Sequence, residues 1–155
     1  MRRRRDEVSE DIEASADAVF DLVHDYTRRL SWDTLLREAY VEGAGPPGVG
    51  VVAVCTGRWF LGGLCFRTEY VSFRRGEVAA VKLINRPPFF DQWAASIRHE
   101  ALGERRSRVI YTLSFTARPR ALAWLLEPIL SLAFRLETRR RLRALRALFA
   151  ASPRP

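Results

Sequence analysis

What most constrains this chain is the order of its elements. The hydrophobic pattern reads as one strand, two short helices, six further strands and one long closing helix. A curved antiparallel sheet wrapped around a single long helix leaves an apolar hollow between the two. The order therefore predicts an α+β domain built to hold an apolar guest, and it leaves the guest open.

The individual signals are local. Val8 to Glu13 reads as the first strand. Ser15 is a good N-cap, Asp17 suits the first turn of a helix, and Val19, Phe20, Leu22 and Val23 give that helix an apolar face. Thr27 can cap a second, shorter helix through Trp32. Strands are then expected over Leu36 to Glu42, Gly50 to Arg58, Leu64 to Arg74, Glu77 to Asn85, Asp91 to Leu102 and Arg108 to Arg118. The last alternates most cleanly, with Val109, Tyr111, Leu113, Phe115 and Ala117 on one face. In the fourth strand Phe66, Thr68 and Tyr70 compete with Arg67, Glu69 and Val71 for the inner face, and a bulge could switch them. Pro119 to Ala150 is the closing helix, with Pro128 inside it. Leu122, Leu125, Leu126, Ile129, Ala133 and Leu136 are expected to face the sheet, continued by Leu142, Leu145 and Phe149. Arg139, Arg140, Arg141, Arg143 and Arg146 are expected outside, where cations suit the C-terminal dipole.

Size and composition bound the function. The 155 residues suffice for one core, expected over residues 6–150, with residues 1–5 a disordered basic start and 151–155 a frayed tail. The formal charge is +8 and Lys82 is the only lysine. That excess of arginine fits an anionic partner or simply a GC-rich genome. The Arg2–Arg5 run is followed by Asp6 and Glu7 and not by an apolar segment, so no signal peptide is read. The apolar run Ala121 to Leu136 is shorter than the ~20 residues a membrane span needs. A cytoplasmic protein is expected. Two cysteines, Cys55 and Cys65, make no disulfide framework.

Several chemistries lack their residues. Gly43-Ala44-Gly45-Pro46-Pro47-Gly48 matches the dinucleotide pattern G-x-G-x-x-G. Two prolines remove the N–H groups a pyrophosphate needs, however, and a β-branched strand follows in place of a helix, so it is a turn. Two histidines and two cysteines without ligand spacing give no metal site, and no cofactor is implied. Nucleic acid is disfavoured because the aromatics alternate inward and not beside the arginines. His24-Asp25 reads as the exposed end of a helix. In the sixth strand Trp93, Ala95, Ile97, His99 and Ala101 share the apolar face, so His99 points to the core or to a ligand. Trp32, Trp93, His99, Tyr111, Phe115 and Trp124 are the inward candidates for ligand contact. His99 and Tyr111 are the best polar groups should catalysis occur.

The run Ile12-Glu13-Ala14-Ser15-Ala16-Asp17-Ala18-Val19-Phe20-Asp21-Leu22-Val23, then Asp25 and Trp32-Asp33, resembles the opening of the START/Bet v 1-like (SRPBCC) superfamily, in its polyketide cyclase/dehydrase-type branch. Gly48-Val49-Gly50 and the closing Arg141-Leu142-Arg143-Ala144-Leu145 are similar too. The resemblance covers about residues 6–150. It implies a helix-grip fold, seven antiparallel strands around a long C-terminal helix with a deep cavity. It also implies a role in binding a lipid, an isoprenoid quinone or a polyketide-like molecule. The alternative is an aromatase/cyclase or dehydratase. No catalytic motif carries over, and the resemblance leaves the oligomeric state open. The fold also implies that two greasy loops, Trp59-Phe60-Leu61 and Pro88-Phe89-Phe90, sit together at the cavity mouth. Arg58, Arg86, Arg118 and Arg120 would flank them, a combination suited to an anionic membrane or to a lid.

Overall fold

The computed structural model describes residues 3–58 and 63–151. The seven strands are β1 (Arg4–Ile12), β2 (Leu36–Val41), β3 (Val52–Gly57), β4 (Cys65–Arg74), β5 (Val78–Leu83), β6 (Phe90–Gly103) and β7 (Arg106–Ala117). They form one antiparallel sheet in the order β1-β7-β6-β5-β4-β3-β2. Consecutive strands from β2 to β7 pair through hairpins, and β1 closes the far edge against β7. The helices are α1 (Ala16–Val23) and α2 (Ala123–Ala151). This is the helix-grip fold, with a short N-terminal helix.

The first strand starts earlier than expected. Arg4 and Arg5 pair with Phe115 and Ser114, so they belong to the sheet and not to a disordered start. The reason is the length of β7, which offers backbone partners as far as Phe115. Ser15 caps α1 as its sequence predicts, accepting from Ala18 N at 3.2 Å. The second helix shrinks to one 3-10 turn, Arg29–Ser31. Gly76 turns the β4–β5 hairpin at φ 77°, a conformation that favours glycine, and a β-carbon there would also push the Asp17 carboxylate of α1 aside. Residues 43–48 form a loop leading to β3, with no helix after them.

Strand faces follow the alternation. Val109, Tyr111, Leu113, Phe115 and Ala117 of β7 are all buried. In β4 the choice falls to Phe66, Thr68 and Tyr70, while Val71 is 48% exposed. A register shift between Tyr70 and Ser72 then brings Phe73 onto the buried Phe20, Ala53, Tyr70 and Ala79 cluster. Cys55 and Cys65 are free, because Cys55 opposes Phe66 and Cys65 opposes Thr56.

The first half of the closing helix corrects the expected orientation, while Leu142, Leu145 and Phe149 of its second half pack on the core as expected. Leu125, Ile129 and Leu136 lie on its exposed side with Trp124 and Leu132, as does Leu122 just ahead of it, while Ala133 lines the space facing the sheet as expected. The buried side carries Ala123, Ser131, Thr138, Arg141, Leu142 and Leu145. Polar anchors explain the rotation. Ser131 and Arg135 meet Asp6 of β1, Arg146 Nη1 donates to Glu10 at 2.8 Å, and Arg141 reaches Asp33. The apolar stripe at the start of α2 is thereby turned away from the sheet.

Candidate functional site

Between the sheet and α2 lies a cavity of about 170 Å³. That is far more than the roughly 10–15 Å³ one water requires. Its walls are mainly apolar: Leu35, Leu36, Leu64, Phe66, Val81, Phe90, Trp93, Ile97, Leu113, Leu130 and Phe134. Phe66 stands edge-on to Phe90 and Trp93, both at 5.2 Å between ring centres, which fixes the aromatic side of the space. Two polar patches interrupt this lining.

The first patch is ionic. Asp33 is fully buried, and a single oxygen, Oδ2, accepts from Arg29 Nε and from Arg141 Nη2, both at 2.8 Å. Its other oxygen accepts from Leu35 N at 3.2 Å, and Arg29 Nη1 donates to Val23 O at 3.0 Å. Burial favours the protonated form of the Asp33 carboxyl. Arg141 and Arg29 outweigh that and hold it below its ordinary value. Arg29 lies over the Trp32 ring at 4.8 Å and Arg141 over Tyr111 at 5.2 Å. Arg29, Arg141, Thr138 and Glu137 face the cavity.

The second patch is neutral. Tyr70 Oη sits 2.9 Å from His24 Nδ1 and 2.7 Å from Tyr26 Oη, and all three residues line the cavity. The protons of this chain can run in either direction. Burial, with Arg29 and then His99 adding to it, drives the His24 pKa well below its usual value, so the imidazole is uncharged at neutral pH. Burial pushes Tyr26 up to about 12 and Tyr70 well above its ordinary value. His24 and Tyr26 also line a second cleft beside the 43–47 loop, so the patch separates the cavity from the outer surface.

The sequence candidates distribute unevenly around this space. Trp93 and Tyr111 line the cavity, as does Phe90 of the second greasy loop. Trp32 is buried under Arg29, and Phe115 packs between Phe90 and Phe134, both behind the lining. His99 is buried beside Phe20 and His24, at 5.2 and 6.5 Å between rings, and is not part of the wall. Trp124 is corrected to the outer surface, 74% exposed, by the rotation of α2. Phe89 is exposed at φ 72°, an unusual conformation for a residue with a side chain, and Pro88 is exposed beside it. Trp59, Phe60 and Leu61 lie outside the described residues.

The structure adds residues that the sequence reading missed. His24 is buried, not an exposed helix end. It lies one turn after Phe20, 4.5 Å from its ring, and so continues the apolar face of α1. Arg29 and Asp33 stand four residues apart, the spacing of a helical ion pair, and that signal was available. Arg141 was hidden in its arginine run, expected outside and found 5% exposed. Among the described residues no cluster of side chains could hold a metal ion, and no helix is long and apolar enough to cross a membrane.

Comparison with known proteins agrees with this geometry. No curated protein matches the chain. Among solved structures, the Zhui aromatase/cyclase from Streptomyces sp. R1128 superposes with a TM-score of 0.77 at 16% identity, over 96% of this chain and 94% of that one. A START superfamily protein from Mycobacterium smegmatis gives 0.64 at 16% identity, over 87% and 95%. Norcoclaurine synthase from Thalictrum flavum gives 0.73 at 11% identity, over 98% and 96%. At such identities these structures share the fold and carry no reaction across. The family model described as "Polyketide cyclase / dehydrase and lipid transport" matches residues 4–150, nearly the whole chain. The protein therefore belongs to the polyketide cyclase/dehydrase and lipid transport family.

Proposed function

We propose that this protein binds a hydrophobic or amphipathic small molecule, of the lipid, isoprenoid-quinone or polyketide-like kind, between the sheet and α2. The observation that carries this reading is the cavity of about 170 Å³ with apolar walls and few convergent polar groups. The test is native mass spectrometry of freshly purified protein for a co-purified apolar ligand, followed by titration with an environment-sensitive apolar dye. Ala95 lines the cavity, and Ala95→Leu should fill part of it. Saturable dye binding that weakens in Ala95→Leu is the expected result. A folded wild type with neither ligand nor saturable binding would overturn the reading.

A second reading, an aromatase/cyclase or dehydratase, is favoured by the His24–Tyr70–Tyr26 chain. Such groups can exchange protons with a ligand carbonyl or hydroxyl held in a dry space. In that case Tyr70→Phe should abolish turnover of a linear polyketone while leaving a measurable affinity for it. An absence of turnover by wild type across such substrates would leave the binding role alone.

Peripheral contact with an anionic membrane extends the first reading. It is supported by exposed Phe89 beside the exposed start of α2. Arg118 N donates to Phe89 O at 2.9 Å, tying the β5–β6 loop to the segment that leads into Leu122, Trp124 and Leu125. Arg86 and Arg120 flank them. Vesicle co-sedimentation should find anionic vesicles bound at low salt and released at high salt, with Phe89→Ser plus Trp124→Ser losing the binding. Wild type remaining in the supernatant under all conditions would sink this contact.

A further inference from the structure

The ionic patch does more than brace the fold. One Asp33 oxygen serves two guanidiniums, so the carboxylate neutralises only one of them. Glu137 also faces the cavity, one turn before Arg141, but Arg140 approaches it from the outside at 3.5 Å. Arg29 and Arg141 against Asp33 and Glu137 therefore balance at two charges each, but Glu137 is paired from outside by the exposed Arg140, so one of the two guanidiniums on Asp33 has no carboxylate of its own. His24 adds no charge, because it is neutral at neutral pH.

Of the two guanidiniums, that of Arg141 is the less fully partnered. Arg141 is 5% exposed, lines the cavity, and its buried Nε has no hydrogen-bond partner among the described residues. A buried guanidinium N–H left unpaired costs free energy; Glu137 Oε2, one turn before it, is also buried without a partner among the described residues, and an acceptor on a ligand in the cavity that Arg141 lines would offset that cost. Arg29 lines the same end, pinned by Val23 O and Asp33. Two rigidly held guanidiniums beside an apolar chamber match a planar anionic head on an apolar body.

We infer that the ligand carries a carboxylate, seated against Arg141 and Arg29, with its apolar body running between Phe66, Trp93, Leu113 and Phe134. This names the class of ligand within the binding role proposed above and rests on it. The body excludes water and supplies most of the burial, and the carboxylate fixes which end enters first. The guanidiniums stay charged across the physiological range, so affinity for the carboxylate should be flat from weakly acidic to weakly alkaline pH.

The experiment is displacement of a neutral aminoanthracene probe from the full chain by decanoate, decanol and methyl decanoate. Decanoate should bind at least about tenfold more tightly than decanol or the ester, the usual scale for a charge-assisted hydrogen bond. Arg141→Met should collapse that ratio towards one. Asp33 keeps Arg29 as a one-to-one partner in this variant, so no net charge is left buried by the change. Arg141→Lys, which retains a cation, should keep part of the preference and guards against a folding defect in the first variant. Equal affinities for decanoate and decanol in wild type would overturn the carboxylate and leave the cavity reading standing. So would a preference that survives Arg141→Met. Failure of the neutral probe to bind at all would defeat the cavity reading itself, and the carboxylate with it.

Discussion

The two polar patches of the cavity wall, the ionic one fully buried and the neutral one buried except at Tyr26, are built on different principles. Asp33, Arg29 and Arg141 keep their charges in the interior because each charge faces another at 2.8 Å. His24, Tyr70 and Tyr26 are kept neutral and linked by hydroxyl and imidazole contacts at 2.7 to 2.9 Å. The contrast shows how a small cavity can hold polarity in two forms. One patch supplies a fixed field and a place for an anion. The other supplies protons that can move without creating charge in a medium that would penalise it. It also predicts unequal costs when either patch is damaged.

The largest effect should come from Asp33→Asn. It removes the one charge that keeps Arg29 and Arg141 compatible, leaving two guanidiniums together in the interior. Breaking a buried ion pair from one side costs about 3–5 kcal/mol, and urea denaturation should read a loss of that order. A loss below about 1 kcal/mol would mean that water reaches this patch and that the two patches do not differ as described.

Acid should separate the patches next. Burial holds the His99 pKa at about 4 against an ordinary 6.5, and lowers that of His24 in the same direction. The folded state therefore takes up fewer protons than the unfolded chain in this interval. The associated stability is fully present above 6.5 and is lost as pH falls towards about 4, amounting to about 3 kcal/mol from His99 alone. Asp33 has its carboxyl held below its ordinary 3.8, so its contribution is lost only under more acidic conditions. Stability followed by urea titration should thus fall first through the histidine interval, then through the carboxylate one. A flat profile between about pH 7 and 4 would contradict the dry, neutral character of the His24 side.

Tyr70→Phe should come third. It deletes the hydroxyl shared by His24 Nδ1 and Tyr26 Oη and leaves both without that partner. The expected loss is about 1–3 kcal/mol, towards the lower end because Tyr26 is only partly buried and can turn to water. An unchanged denaturation midpoint would make this patch a loose contact rather than a chain.

These contrasts were only partly legible in the sequence. Strand faces were readable wherever alternation was strict, and β7 buries the set that its pattern predicts. They are readable because each inward position must be apolar when a sheet has one buried face. The closing helix misled for the opposite reason. Periodicity assumes that apolar burial decides a helix's rotation, but α2 is pinned by Asp33, Asp6 and Glu10, which take Arg141, Ser131 and Arg146. Three partners far away in the chain outvoted a stripe of leucines. The same blindness hid both patches. Arg29 with Asp33, four residues on, and His24 one turn after Phe20 had telling spacings, but the partners that bury them sit on β4 and α2. The apolar body of the cavity was thus foreseeable, while its polar groups required the tertiary structure.

The smallest effect concerns what lies behind the neutral patch. His99 is 6% exposed and neither ring nitrogen has a hydrogen-bond partner among the described residues. Its ring stands edge-on to Phe20 at 5.2 Å and 65°, a contact that phenylalanine can reproduce. His99→Phe keeps that packing and removes two polar atoms that have lost water without gaining a partner. Stability at neutral pH should rise by about 1 kcal/mol. It should rise further at about pH 5, where the variant escapes the acid-linked loss assigned to His99. Urea titrations at the two pH values give both numbers, and dye affinity measured on the same variant adds a third. A gain that appears only at low pH would mean that the neutral imidazole is satisfied by water in the folded state. A drop in dye affinity of about tenfold or more would mean that the ligand penetrates past His24 to His99. The neutral patch would then be the inner end of the binding site, and the two patches would face one ligand from opposite sides.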